Sequence, residues 1–360
     1  MTIAAAGHAR RSILVGLGAA ALAPALLRAQ TAASPFPTRA DLAGDVAILR
    51  AALAMHPGLY RYNTPAQMAA RLGGFAAAFT GGTSTEQRYL ILARFLATIR
   101  CGHSYPNFFN QSKAVTAALF DRTTRLPFDF AWIGGDMVVL GAPAPLALPP
   151  GSRISTINGE RASHLLARLM PYIRADGSND GKRIALLEMR NTDTIETFDV
   201  FQGLIAPPLD GIHHVRGITP GGAAFALDLP AIGLAARRAA MEKISDDGDE
   251  VRWQWAMRGD GVAVLTMPGW ALYNSKWNWQ AWLDERLDSL AGAKGLVIDL
   301  RDNEGGNDCG DAILARLIDR PLAPPGYVQK LRFERTPPAL DRYLDTWDDS
   351  FRTLGVGGKR

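Results

Sequence analysis

The sequence predicts an α+β protein whose C-terminal part is an α/β unit. Up to about residue 115 apolar residues recur at helical spacing, and from Leu126 onward short strand patterns separated by glycine turns replace them. Towards the C-terminus a strand, a helix and a second strand follow one another, which is the pattern of a right-handed parallel crossover. A chain of 360 residues can bury more than one core, so we expect several domains.

Composition excludes several classes of function. With 48% hydrophobic and 21% charged residues, the chain has the composition of an ordinary soluble globular protein. A net charge of +4 and the lack of long like-charge runs predict no nucleic-acid partner. No His, Cys and carboxylate cluster has ligand spacing, so we expect neither a metal nor a cofactor. The adjacent His213 and His214 are predicted to be a surface pair, because neighbouring side chains on a strand point apart.

Residues 1–33 are predicted to be an export signal and are excluded from the fold. Arg10 and Arg11 precede an apolar segment, residues 13–27, which is too short to span a bilayer and is followed by small residues. The arginine pair fits a twin-arginine route, and a Sec signal has much the same appearance. No later segment has the length and apolarity of a membrane span. We therefore expect an exported protein, periplasmic or extracellular.

Residues 34–115 are predicted to form an N-terminal helical domain. Four apolar residues share the face of a first helix, which the sequence His56-Pro-Gly ends: Leu42, Val46, Leu49 and Leu53. Thr83 and Glu86 have the spacing of a capping box at the start of a later helix. That helix leads directly into residues 101–105, Cys-Gly-His-Ser-Tyr.

Residues 116–205 are predicted to form a β-rich module. Two strand patterns flank Gly134-Gly135, which indicates a tight hairpin. A glycine turn, a strand ending in Ile-Asn-Gly159 and a helix over 162–170 follow, an order typical of PDZ domains, which bind extended peptides at a sheet edge. Residues 206–258 are treated as a connecting region. Its residues 223–229 have the pattern of a strand.

Residues 259–360 are predicted to be an α/β core. Residues 261–267 and 295–301 have strand patterns and flank a helix that begins near Trp279. The turn after the second strand carries Gly305 and Gly306, and a helix is predicted from about Asp311. Adjacent glycines allow backbone N–H groups to approach a developing negative charge, and the following helix N-terminus adds its dipole. An ordinary strand-to-helix connection would have the same pattern.

Residues 299–306, Asp-Leu-Arg-Asp-Asn-Glu-Gly-Gly, resemble the Asp-Leu-Arg-x-Asn-x-Gly-Gly signature of the tail-specific, or C-terminal processing, serine peptidases. Residues 102–105, Gly-His-Ser-Tyr, are similar to the segment that carries the base histidine in the tricorn-core branch of that family. The PDZ-like module lies between the two. The resemblance implies a peptidase core of the crotonase or Clp-protease type, a peptide or protein substrate and no cofactor.

By this resemblance, His103 is the general base, and Gly305 and Gly306 are the oxyanion donors. Family members carry the nucleophilic serine some tens of residues beyond the Gly-Gly turn. Ser275, Ser289 and Ser350 lie in segments unlike that region, so the nucleophile is unknown. We expect an incomplete and inactive form of a longer peptidase.

Two alternatives stay open at this stage. The chain could be a non-catalytic protein that holds peptides with the PDZ-like module, or a crotonase-like acyl-group enzyme that shares the core architecture. Cys101 and Cys309 flank the two segments assigned to the site, and a disulfide between them would persist outside the cytoplasm.

Overall fold

The computed structural model describes residues 37–143, 146–190, 194–240, 253–273, 275–301, 303–320, 333, 335–344 and 352. The predicted export signal, residues 1–33, lies outside them, as does most of the C-terminal end. Within them, no helix has the length and apolarity needed to cross a membrane. The architecture is α+β, as predicted, with helices, an antiparallel sheet and a small mixed sheet.

Three helices form the N-terminal domain: α1 (Arg39–Ala54), α2 (Pro65–Gly81) and α3 (Thr85–Ala97). The buried faces of these helices form one apolar cluster, which includes Val46, Phe75 and Ile99. Helix α2 was not predicted, although Thr64 and Gln67 form a full capping box at its start. The predicted Thr83 cap is wrong by one residue, because the Ser84 side chain accepts the N–H of Gln87.

The larger sheet follows helix α4 (Lys113–Leu119) and is antiparallel. Its strands are β1 (Asp129–Ile133), β2 (Asp136–Gly141), β3 (Arg153–Ile157), β4 (Glu160–Arg161), β5 (Ile212–Ile218) and β6 (Ala224–Pro230). The order is β1-β2-β3-β5-β6, with β4 paired to β3. Gly134 and Gly135 both have positive φ, as a tight hairpin turn requires. The sheet thus continues beyond residue 205, into the segment treated as a connection.

Helices cover the larger sheet and complete its core. They are α5 (Ala162–Leu169), a 3-10 turn (Met170–Tyr172), α6 (Asp180–Ala185), α7 (Thr197–Ile205) and α8 (Leu234–Ala240). Phe130 of β1 packs edge-on against Phe198 of α7, with ring centroids 4.8 Å apart. The inner residues of β1, β2 and β3 and the buried face of α5 belong to the same apolar cluster.

The predicted surface pair is wrong for His213. Its ring is fully buried, with Nε2 2.9 Å from the carbonyl oxygen of Thr124. His214 is exposed, and its Nδ1 lies 2.6 Å from Asp228 Oδ1. The pair does alternate across a strand, as predicted, but the inner face of β5 is covered, so one of the two rings enters the core.

The C-terminal unit contains the predicted parallel crossover. Strands β8 (Val262–Thr266) and β9 (Gly295–Asp299) pair in parallel, and α9 (Trp279–Asp288) connects them. An unpredicted strand, β7 (Gln254–Met257), pairs antiparallel with β8. Helix α10 (Cys309–Leu317) follows the glycine turn, and α11 (Pro338–Asp341) lies against α1.

The two cysteines are free and belong to different cores. Cys309 is fully buried in the apolar cluster of the C-terminal unit, whereas Cys101 is half-buried against the cluster of the N-terminal helices. The disulfide considered from the sequence is therefore not formed in the structure.

Candidate active site

The glycine turn is held tightly against the segment that follows β8. The Trp270 N–H donates to the Gly305 carbonyl at 3.1 Å, and the Asn307 N–H donates to the Trp270 carbonyl at 2.8 Å. Gly306 has a φ of +138°, and a Cβ at this position would lie 2.1 Å from the Trp270 carbonyl carbon. Only glycine fits this position without a backbone shift.

Asn303 fixes the start of the same turn. Its Nδ2 donates to the Met267 carbonyl at 2.9 Å, and its Oδ1 accepts the N–H of Gly305 at 2.8 Å. The Gly305 N–H is thereby occupied. The Gly306 N–H has no hydrogen-bond partner among the described residues. Of the two predicted oxyanion donors, Gly306 is thus the one with an available N–H.

The acidic residue that opens the signature has a structural partner. Arg301 binds the Asp299 carboxylate through its side chain and also donates its backbone N–H at 3.0 Å. These hydrogen bonds lower the pKa of Asp299 to about 2. The Asp299 carboxylate is therefore ionised at neutral pH, and its hydrogen bonds with Arg301 fix the conformation at the start of the turn.

The loop between α5 and α6 holds the segment that carries His103. The Asp176 carboxylate accepts the N–H of Gly102 at 2.8 Å, and Arg174 Nη1 donates to the Gly102 carbonyl at 2.9 Å. The Arg174 guanidinium also lies 3.8 Å from the centroid of the Tyr105 ring. A Cβ at Gly102 would lie 3.0 Å from Asp176 Oδ2, so this carboxylate favours glycine at position 102.

His56 supports the same segment from the other side. Its Nδ1 accepts the N–H of Gly58 at 3.0 Å, which leaves the proton of the neutral ring on Nε2. Nε2 lies 2.9 Å from Ser104 Oγ and donates to it. Burial lowers the pKa of His56, which favours this neutral form. Because Nε2 is the donor, the pair lacks the hydrogen-bond direction of a nucleophilic serine with its base.

One cavity lies between the two predicted segments, although about two hundred residues of chain separate them. Among the described residues, its lining includes His103 but neither Gly305 nor Gly306. His103 and Gly102 line it on one side, and Asn303 and Glu304 on the other. Its volume is about 260 Å³. Lys182 of α6 also lines the cavity and forms an ion pair with Glu304, which ties the middle of the chain to the glycine turn. Among the residues that the structure describes, no serine lines this cavity.

Sequence reasoning missed three residues around His103. Residues 176–181 have a turn-rich composition, which gives no sign that Asp176 binds Gly102 or that Arg174 stacks on Tyr105. The sequence indicates His56 only as part of the segment that ends the first helix, and its contact with Ser104 spans 48 residues of sequence. Such contacts join segments that local patterns cannot relate.

The segment that contains the glycine turn is similar to a known family of peptidases. Residues 261–336 match the model of peptidase family S41. The match contains the glycine turn, and it confirms the resemblance to the tail-specific peptidases over this part of the chain. No protein of curated function matches the sequence.

Three solved structures of CPAF are similar to this chain at low sequence identity. Mature CPAF complexed with lactacystin is 12% identical, with a TM-score of 0.49, over 78% of this chain and 59% of the CPAF chain. Mature CPAF alone is 12% identical, with a TM-score of 0.46, over 75% and 56%. A serine-to-alanine mutant of CPAF is 13% identical, with a TM-score of 0.48, over 75% and 57%. The chain thus spans less than two thirds of the CPAF chains.

Proposed function

We propose that this chain carries the base and the oxyanion donor of a serine-type peptidase that acts on peptides or proteins outside the cytoplasm. His103 is the general base, and the Gly306 N–H, with the α10 N-terminus behind it, is the oxyanion donor. The cavity that His103 shares with Asn303 and Glu304 is the observation that supports this assignment most directly. The export pattern in residues 1–33 supports the location.

Peptide hydrolysis would use His103 on one side of the cavity and the glycine turn, whose Asn303 and Glu304 line the other side. His103 would accept the proton of an attacking hydroxyl and return it to the leaving amine, which requires an imidazole in contact with the reacting atoms. The Gly306 N–H would donate to the oxygen of the tetrahedral intermediate. Its rigid attachment to Trp270 fits this role, because a fixed donor needs no reorganisation when negative charge develops.

The oxyanion assignment is tested with a phosphinic peptide, a stable tetrahedral anion that requires no nucleophile. We expect it to bind about tenfold more tightly than the matched planar peptide, and we expect His103→Ala to remove most of this preference. The matched control is His164→Gln on the exposed side of α5. Equal binding of the two ligands, or a preference that is unchanged in His103→Ala, would exclude the assigned site.

We further propose that the 360-residue chain has no peptidase turnover of its own, because none of its serines is assigned as the nucleophile. Ser104, which lies beside His103, accepts a hydrogen bond from His56 and is not activated. A fluorophosphonate probe should therefore label no serine. Labelling that His103→Ala abolishes would reveal a nucleophile and contradict this part of the proposal.

A further inference from the structure

A second and larger cavity opens on the His56 side of His103. Its volume is about 620 Å³, which is within the usual range of ligand pockets. Pro57, Tyr62 and Cys101 supply much of its apolar lining. His103 and Asp176 line both this cavity and the smaller one beside the glycine turn. A peptide bound across His103 can therefore occupy both cavities.

Two arginines of this larger cavity have no acidic partner. Arg61 Nε donates to the Tyr62 hydroxyl at 3.3 Å, with its guanidinium 5.7 Å from the centroid of the same ring, and Arg100 Nη1 donates to Ser178 Oγ at 3.5 Å. Among the described residues, neither guanidinium is paired with a carboxylate. Asp176, the one acidic residue of the lining, already accepts the Gly102 N–H. The lining thus combines apolar side chains with two arginines and one carboxylate, so its net charge is positive.

Arg100 adopts a backbone conformation that normally favours glycine. Its φ is +60°, directly after the last turn of α3. The backbone bonds of this position need no side chain, since the Arg100 N–H donates to Ala97 and the Arg100 carbonyl accepts the N–H of Gly177. Arginine is therefore unfavourable for the local backbone, and among the described residues no carboxylate pairs with its guanidinium.

We propose that this cavity binds an acidic side chain of the peptide substrate, next to a large apolar residue that fills the interior. The inference rests on the proposed function, because it places the substrate across His103. Arg61 and Arg100 would bind the carboxylate, and their planar guanidiniums fit its geometry. A residue in the middle of a peptide can offer a carboxylate only from its side chain, so the acid is an Asp or Glu rather than a chain terminus.

The test compares two fluorescein-labelled hexapeptides with blocked termini, one containing Leu-Glu and the other Leu-Gln, by fluorescence polarisation with the full chain. We expect the Glu peptide to bind about tenfold more tightly, since its carboxylate accepts charge-assisted hydrogen bonds. Raising the salt concentration from about 0.05 to about 0.5 M should reduce this preference. Equal binding of the two peptides, or no binding of either, would overturn the proposal.

Arg100→Gly is the most informative variant, because glycine suits the backbone of this position and leaves the fold intact. We expect it to bind the Glu and Gln peptides within about twofold of each other, and Arg100→Lys to keep an intermediate preference. The matched control is Arg94→Gln, an exposed arginine of α3 that does not line the cavity. A preference that survives both Arg100→Gly and Arg61→Gln would contradict the assignment.

This experiment can fail independently of the proposed function. The preference for Glu is a binding measurement that requires neither turnover nor the Gly306 N–H. If the phosphinic peptide gains no affinity while the Glu preference depends on Arg100, the acidic-peptide site stands and the peptidase assignment falls. If the phosphinic peptide binds as expected and the Glu preference is missing, only the present inference is lost.

Discussion

Gly306 lies so close to the backbone of Trp270 that a side chain at this position would disturb the candidate site. A Cβ would meet the Trp270 carbonyl carbon and oxygen at 2.1 and 2.2 Å. Since both contacts are with backbone, Gly306→Ala has to move the turn away from Trp270. We expect a loss of about 2 to 4 kcal/mol in the free energy of unfolding. A urea titration followed by tryptophan fluorescence would measure it.

Gly305 supplies the matched control for that variant. It also has a positive φ, +95°, but a Cβ there meets nothing within 4 Å. Gly305→Ala should therefore cost only about 1 to 2 kcal/mol of backbone strain. Equal losses in the two variants would mean that the contact with Trp270 does not restrict residue 306.

His213 makes the stability of the larger sheet dependent on pH. Its buried ring is neutral, with Nε2 2.9 Å from the Thr124 carbonyl and Nδ1 3.4 Å from Asn158. Burial lowers the pKa of His213, so the folded state binds this proton less readily than the unfolded state. The stabilising contribution is present above the unfolded pKa of about 6.5 and is lost as the pH falls towards the lower folded pKa.

We therefore expect the urea midpoint to fall between pH 7 and pH 5, and we expect His213→Gln to fall less over this interval than the wild type. His164→Gln, at an exposed position, should keep the wild-type slope. Far-ultraviolet circular dichroism would follow the transition. Parallel slopes for His213→Gln and the wild type would assign the pH dependence to other groups, such as the half-buried His56.

The sequence predicts some of these residues and not others, for a physical reason. Gly305 and Gly306 follow a strand pattern and precede a helix pattern, so their turn can be recognised locally. The burial of His213 depends on Thr124, which is 89 residues away in sequence. The role of Asp176 likewise depends on Gly102, 74 residues away. Only the folded sheet and its covering loops bring these partners together.

At the scale of elements, a buried ionic triad joins α7 and α8 to the segment before β1. Asp199 of α7 is 3.1 Å from Arg237 Nε and 3.3 Å from Arg125 Nε. All three side chains are almost fully buried. Burial raises the pKa of Asp199, whereas the two guanidiniums act in the opposite direction. The Asp199 carboxylate thus compensates part of the positive charge of two buried arginines.

Asp199→Ala should cost about 3 to 5 kcal/mol in the free energy of unfolding, because it leaves two buried guanidiniums without their shared carboxylate. The control is Asp180→Ala, which removes an exposed carboxylate from its ion pair with Arg183 and should cost less than about 1 kcal/mol. Urea unfolding followed by circular dichroism compares the two. Similar losses would show that the triad is no more important than a surface pair.

Helices and strands were predicted correctly where the periodic pattern of their apolar residues was complete within one segment. Helix α1 has its four apolar positions on one face, and β8, α9 and β9 each have a clear period. Strand β7 has only four residues, and most of them are exposed, so its pattern was too weak to detect. Its partner β8 stabilises it through a ladder that no local sequence signal specifies.

At the scale of the whole molecule, the candidate site lies where separate cores meet. The loops after α1 and α3 carry His56 and His103, the middle of the chain supplies Asp176 and Lys182, and the C-terminal unit supplies Asn303 and Glu304. The ion pair between Lys182 and Glu304 connects the last two. The geometry of the site therefore depends on contacts between all three parts of the chain.

The reactivity of Cys101 and Cys309 measures how readily the two apolar clusters that contain them open. Without reduction, both thiols should react with an alkylating reagent in denaturant, because neither forms a disulfide. In the native protein Cys101 should react first, since Cys309 is fully buried and burial also raises its pKa. Cys309 should react only through opening of the C-terminal core, so Gly306→Ala should accelerate it by about tenfold or more and leave the rate of Cys101 unchanged. Mass spectrometry after timed alkylation measures both rates, and equal acceleration of the two thiols would show that the cores open together.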